Sequence, residues 1–111
     1  MVAQECHVDE VHKPFDPIVL SIAAGAQLAV KGMGCPRCAM RVYNSLLMLH
    51  GVYVVHVSLE QGVASVAFDP QHVTIEELLT TITAAGNDGR HHYQGQLLAQ
   101  RPAREIFVVH A

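Results

Sequence analysis

The residues of this 111-residue chain best suited to chemistry lie in one short run, Gly32-Met33-Gly34-Cys35-Pro36-Arg37-Cys38. Two thiolates separated by two residues can both reach one metal ion when the chain turns between them. Pro36 suits the first position of a helix, where its missing N–H would be unbonded anyway. A helix starting there aims its unpaired N–H groups and the positive end of its dipole at the sulfurs, which favours thiolate over thiol. Arg37 adds a positive charge between them. Two soft sulfurs favour a soft ion of low coordination number such as Cu(I), whereas a structural zinc site wants four ligands. Release is chemically simple, because an incoming thiolate can add while an outgoing one leaves.

A thiol–disulfide oxidoreductase is the competing use of the same pair, since redox cysteines also sit at helix N-termini. Thioredoxin-like sites usually place a Trp before the pair and a cis-proline before a later strand. This chain has no Trp, and Pro70 precedes a helix signal instead. Metal binding is therefore the favoured chemistry, and the protein is read as a non-enzyme. Cys6 and His7, with His12 nearby, raise a further question. They could close the site as additional donors, giving three-donor Cu(I) or a Zn(II) site of three Cys and one His. Ordering a separate arm costs conformational entropy, which favours an arm whose cysteine stays out of the site. Three cysteines are too few and too odd for a secreted disulfide framework. Among the eight histidines, adjacent His91 and His92 would point to opposite faces of a strand. His50 reads as a cation in the last turn of a helix, and His56 and His72 read as solvent-facing.

The elements that must position Cys35 and Cys38 follow from periodicity. Gln27 to Lys31 reads as a strand, preceded by a shorter one over Ile18 to Ala23, with Gly25 as a break between them. Ala39, Val42, Leu46 and Leu49 recur at helical spacing from Pro36 onward, and Gly51 stops that helix. Val52 to Leu59 and Val63 to Phe68 are strand-like around a Gln61-Gly62 turn and should pair as a hairpin. Thr74 and Glu77 have capping-box spacing, and Ile75, Leu78, Leu79 and Ile82 trace a second amphipathic helix closed by Gly86. Arg90 to Leu98 reads as a fourth strand and Glu105 to His110 as a further one. Strand, helix, strand, strand, helix, strand is an α+β order: the ferredoxin-like βαββαβ fold, two helices on one face of a four-stranded antiparallel sheet.

Composition narrows the function. Apolar residues make up 50% of the chain, so a core can form. The net charge of −3 lies in residues 1–16, where Glu5, Asp9, Glu10 and Asp16 oppose only Lys13. The remainder is balanced, with no basic patch to meet phosphates, so nucleic-acid binding is excluded. No apolar run approaches the roughly 20 residues of a membrane helix, and no signal peptide is visible. A soluble, cytoplasmic protein that is not membrane-embedded is expected.

The segment KGMGCPRCAMRVYNSLLMLHGVYVVHVSLEQGVASVAFDPQHVTIEELLTTITAAG resembles a heavy-metal-associated domain. That family contains copper chaperones, the N-terminal modules of metal-pumping P-type ATPases and small mercury-binding proteins. The resemblance implies a domain over residues 26–98, with residues 1–25 as an acidic arm and residues 99–111 as a tail. It implies that Cys35 and Cys38 are the ligands, that Met33 anchors the loop, and that Gly32 and Gly34 let it bend. It implies Cu(I) as cargo, with Zn(II) or Hg(II) as the other candidates, and a metal-transporting P-type ATPase as acceptor. Asn87 stands where bacterial copper chaperones place a Tyr after the glycine ending the second helix. A second apolar stripe on the first helix, Met40, Tyr43 and Leu47, needs cover. The terminal extensions as added strands, a homodimer or a partner ATPase could each supply it.

Overall fold

A computed structural model describes residues 18, 21–86 and 92–107. Strand β1 (Ala24–Lys31) leads through the cysteine loop into helix α1 (Pro36–Leu47). The hairpin β2 (Val52–Ser58) and β3 (Val63–Phe68) follows, then helix α2 (Ile75–Ala85), strand β4 (Gln94–Pro102) and a helical turn α3 (Ala103–Ile106). All strand pairings are antiparallel, in the order β2-β3-β1-β4, so β1 and β3 are central. Both long helices cover one face, which is the ferredoxin-like arrangement the element order implies.

Local chemistry accounts for the element ends. In α2 the Glu77 N–H donates to Thr74 Oγ1 at 3.1 Å, and the Thr74 N–H donates to Glu77 Oε1 at 3.2 Å, completing the capping box. Gly51 and Gly62 take positive φ, 96° and 66°, in the turn that leads into β2 and in the turn that joins β2 to β3. Ala26, Leu28 and Val30 of β1 alternate inward against Val42 and Leu46 of α1 and Leu78 and Ile82 of α2, with Phe68 and Val66 from β3. The topology gives the sheet two distinct ends. The cysteine loop shares one with the β2–β3 turn, where the Val30 N–H donates to the Gly62 carbonyl at 2.7 Å, and with the start of β4. The turns at Met48–Gly51 and Asp69–Val73 lie at the other end.

The terminal segments depart from the sequence reading. Ile18 and Ser21–Ala23 form a turn rather than a strand: the Ser21 N–H donates to the Ile18 carbonyl at 3.1 Å. Residues 19 and 20 lie outside the described residues. Gly25 does not break β1 but pairs with Ala67 on one side and Arg101 on the other. β4 starts four residues later than Arg90 and runs to Pro102, into the tail. Glu105 does not start a strand; it belongs to α3, and residues 108–110 of that expected strand lie outside the described residues. The tail instead buries its apolar surface on the sheet's open back face. Ala103 is fully buried there with Ala23 and Ala67, flanked by Tyr53, Val54 and Phe107. The Ala103 N–H donates to the Ala23 carbonyl at 3.0 Å and fixes the turn.

Gly25 makes this docking geometrically feasible. A Cβ there would lie 2.9 Å from both the Ala103 Cα and the Arg101 carbonyl oxygen, and 2.7 Å from Ile106 Cδ1. Two of those neighbours are backbone and cannot step aside. Gly25→Val is therefore expected to lower stability by about 1–3 kcal/mol, the usual penalty of overpacking. Urea unfolding checks this, and an unchanged midpoint would show that α3 yields freely.

Candidate metal centre

The loop from Gly32 to Cys38 is shaped by backbone contacts as much as by its own sequence. Gly32 has φ +101°, and a Cβ on it would meet the His92 carbonyl oxygen at 2.2 Å. Only glycine satisfies both the left-handed conformation and that approach of the β4 entry. Met33 is half-buried against the core. Gly34 is different: nothing lies within 4 Å of where its Cβ would stand, and its φ is not positive. Its small size leaves the face of the loop open rather than relieving a clash.

Cys35 is the N-cap of α1, with extended backbone (φ −159°, ψ 165°) and Pro36 following at the first helical position. Its carbonyl accepts from the Cys38 N–H at 2.9 Å and from the Ala39 N–H at 3.3 Å, which closes the first turn. That turn brings the sulfurs together: Cys35 Sγ and Cys38 Sγ are 3.3 Å apart, a hydrogen-bonded pair and not a disulfide. Cys35 is half-exposed, while Cys38 is only 2% exposed and belongs to the core cluster.

A buried thiol should resist ionisation, and the structure opposes that tendency. Burial pushes the Cys38 thiol up, but the influence of the nearby Tyr93 hydroxyl, the Gly34 backbone and Cys35 together outweighs it. The result is a pKa of about 7 against an ordinary 9.0. Tyr93 is the functional residue that sequence reasoning missed. It is 1% exposed and packs flat on Gly86, whose Cβ position lies 2.5 Å from Tyr93 Cγ. Its one sequence signal was an aromatic in the polar run His91-His92-Tyr93-Gln94, read there simply as part of a strand. Asn87, placed by resemblance where an aromatic hydroxyl was expected, lies outside the described residues. Tyr93 brings such a hydroxyl to Cys38 from six positions further on.

Cys6, His7 and His12 lie outside the described residues. Among the described residues no three Cys, His, Asp or Glu side chains converge on a point, so the loop itself offers two donors. No helix among the described residues is long and apolar enough to cross a membrane. The second stripe on α1 is shorter than the sequence suggests. Leu47 points into the core, whereas Met40 and Tyr43 line a groove of about 430 Å³ with Pro36, Val55 and Val57. The α3 tail does not cover it, because it docks on the opposite face of the sheet.

Removing the Tyr93 hydroxyl is expected to raise the Cys38 pKa from about 7 back toward 9.0 in Tyr93→Phe. The pH dependence of alkylation at Cys38, followed by mass spectrometry, reads that shift; an unmoved midpoint would rule the hydroxyl out. Because folding lowers this pKa, ionised Cys38 stabilises the apo fold fully above pH 9 and loses that contribution as pH falls through 7. Wild-type stability to urea should therefore rise between those values, and Tyr93→Phe should flatten the rise.

Residues 27–88, more than half of the chain, match the heavy-metal-associated domain. The copper chaperone CopZ of Bacillus subtilis is 39% identical over 61 residues, covering 55% of this chain and 88% of that protein. The copper-transporting ATPase RAN1 of Arabidopsis thaliana is 32% identical over 82 residues, which span 74% of this chain but 8% of the ATPase. Among solved structures, a copper binding domain from the P-type ATPase HMA7 superposes with a TM-score of 0.64 at 32% identity. That superposition covers 70% of this chain and 97% of the other. With residues 27–88 matching the domain, the fold shared, and two free cysteines paired at the helix start, the chain belongs to the heavy-metal-associated domain family.

Proposed function

We propose that this protein is a Cu(I) chaperone that holds the ion between Cys35 and Cys38 and passes it to a metal-transporting P-type ATPase. The observation that carries the reading is the sulfur pair at the N-terminus of α1, 3.3 Å apart, one sulfur buried and one half-exposed. Two soft thiolates with no third donor converging on them among the described residues suit a soft, low-coordination ion. The copper chaperone and copper-transporting ATPase among its relatives support the same cargo and acceptor.

Loading replaces the proton shared between the sulfurs with the ion. Both sulfurs bind as thiolates, so uptake releases protons to solvent and strengthens as pH rises. Transfer runs in the same terms. A thiolate of the acceptor forms a bond to Cu(I), and the bond to half-exposed Cys35 breaks. A second acceptor thiolate then replaces Cys38, so that the metal is never released as a free ion. No electron moves, and no enzyme turnover is involved. The cytoplasm, where thiols stay reduced, is the compartment in which such a carrier works. Two cysteines serve this exchange without the arm, so Cys6 and His7 are spectators in this mechanism. The working unit on this reading is residues 26–98, with β1 beginning two residues before it and β4 running four residues beyond it.

The test is an anaerobic Cu(I) titration of the full chain against a chromophoric chelator. Wild type should bind one ion and outcompete the chelator; Cys35→Ser/Cys38→Ser should lose that ability, and Cys6→Ser should keep it. Marked weakening in Cys6→Ser would bring the arm into the site. Failure of wild type to compete would remove copper, and parallel titrations with Hg(II) and Zn(II) would name its replacement. Turnover in an insulin-reduction assay would point instead to thiol–disulfide exchange.

A further inference from the structure

The end of the sheet away from the cysteines carries a second group of metal-binding side chains. His50, in the turn after α1, and His72, in the turn before α2, stand with ring centroids 5.2 Å apart and planes at 77°. The two turns are tied together, because the Asp69 N–H donates to the Gly51 carbonyl at 2.8 Å. Gly51 is what allows the approach: it has φ +96°, and a Cβ there would lie 2.7 Å from His72 Cβ. Neither contact could be read from sequence, since the histidines are more than twenty positions apart.

Asp69 fixes the chemistry of His72. Its Oδ1 accepts from the Gln71 N–H at 2.9 Å, and its Oδ2 lies 2.7 Å from His72 Nδ1. A carboxylate only accepts, so Nδ1 carries the proton and the lone pair of His72 sits on Nε2, directed away from Asp69. Carboxylate, then imidazole, then metal is the arrangement by which proteins orient a histidine ligand. The spacing of the rings fits a shared ion. Two imidazoles bound tetrahedrally at about 2.0–2.1 Å place their ring centroids about 5 Å apart. Asp69 and His72 also remain accessible, with side chains 25% and 52% exposed.

We propose that His50 and His72 form a second metal site, for a divalent ion of the imidazole-binding class such as Ni(II) or Zn(II), with Asp69 as the residue that positions His72. The donors are borderline nitrogens, opposite in character to the soft sulfurs of Cys35 and Cys38, so the two ends of the molecule select different ions. No third side chain converges with them among the described residues, so water fills the remaining coordination positions and the ion exchanges readily. The site stands independently of the copper reading, because it shares no residue with the cysteine loop.

Ni(II), added stepwise to the full-length protein, tests this by paramagnetic broadening of backbone amide signals in NMR spectra. Wild type should lose signals around residues 49–51 and 69–73, besides any lost near the cysteines. His50→Gln and His72→Gln should each abolish the first set while leaving the second. Both histidines are exposed, so the rest of each spectrum reports that the fold is intact. Asp69→Asn should weaken binding at this end by about tenfold, as losing an orienting carboxylate does. Broadening confined to the cysteine loop would overturn the proposal. So would broadening of residues 49–51 and 69–73 that persists in His72→Gln.

Discussion

Cys38 belongs to the hydrophobic core, yet its thiol is held at a pKa of about 7, and much of the architecture is arranged around that conflict. A sulfur 2% exposed would ordinarily stay protonated, because burial penalises the charged form. Donors converge on it from three stretches of chain: the loop at Gly34, the helix start at Cys35 and the entry to β4 at Tyr93. The first two are local. The third depends on β4 pairing with β1 in the register that sets Lys31 opposite Gln94. Sheet closure thus sets the chemistry of the site as well as the stability of the domain.

The two glycines that meet the β4 entry show how tightly these demands are coupled. Gly32 admits the His92 carbonyl, and Gly86 admits the Tyr93 ring. Together they let one short segment lie against both the metal loop and the end of α2. A side chain at either position would push Tyr93 from Cys38 and leave a buried thiol with fewer donors. In the proposed exchange, half-exposed Cys35 faces the opposite requirement, since an incoming thiolate has to reach it. One sulfur held in the core and the other at the surface is a division of labour suited to keeping an ion and handing it on.

The far end of the molecule is organised by different forces. The α3 tail seals small residues on the back of the sheet, while the paired turns at His50 and His72 leave imidazoles at the surface. These features lie beyond α1 from the loop and can change without disturbing it. The groove beside Met40 and Tyr43, by contrast, adjoins the metal loop through Pro36.

Much of the fold was legible in the sequence because its signals are local. Apolar spacing marked α1 and α2, Thr74 and Glu77 marked a cap, and Gln61-Gly62 marked the hairpin. Cys35 and Cys38 announced themselves because their chemistry needs only two residues between them and a helix start. What the sequence left open depends on contacts between distant positions. Gly25 reads as a break until Ala103 is seen to pack on it. Glu105 reads as a strand start until Ala103 is seen to dock its helical turn on the back of the sheet. Leu47 reads as surface stripe until it turns into the core. Tyr93 reaches Cys38, and His50 reaches His72, only once β4 has closed the sheet and the two far turns have been tied together. The sequence by itself determined the donor pair and the elements that carry it, because both rest on interactions within a few residues. Tertiary structure decided which distant groups surround those donors, because that follows from strand register and packing.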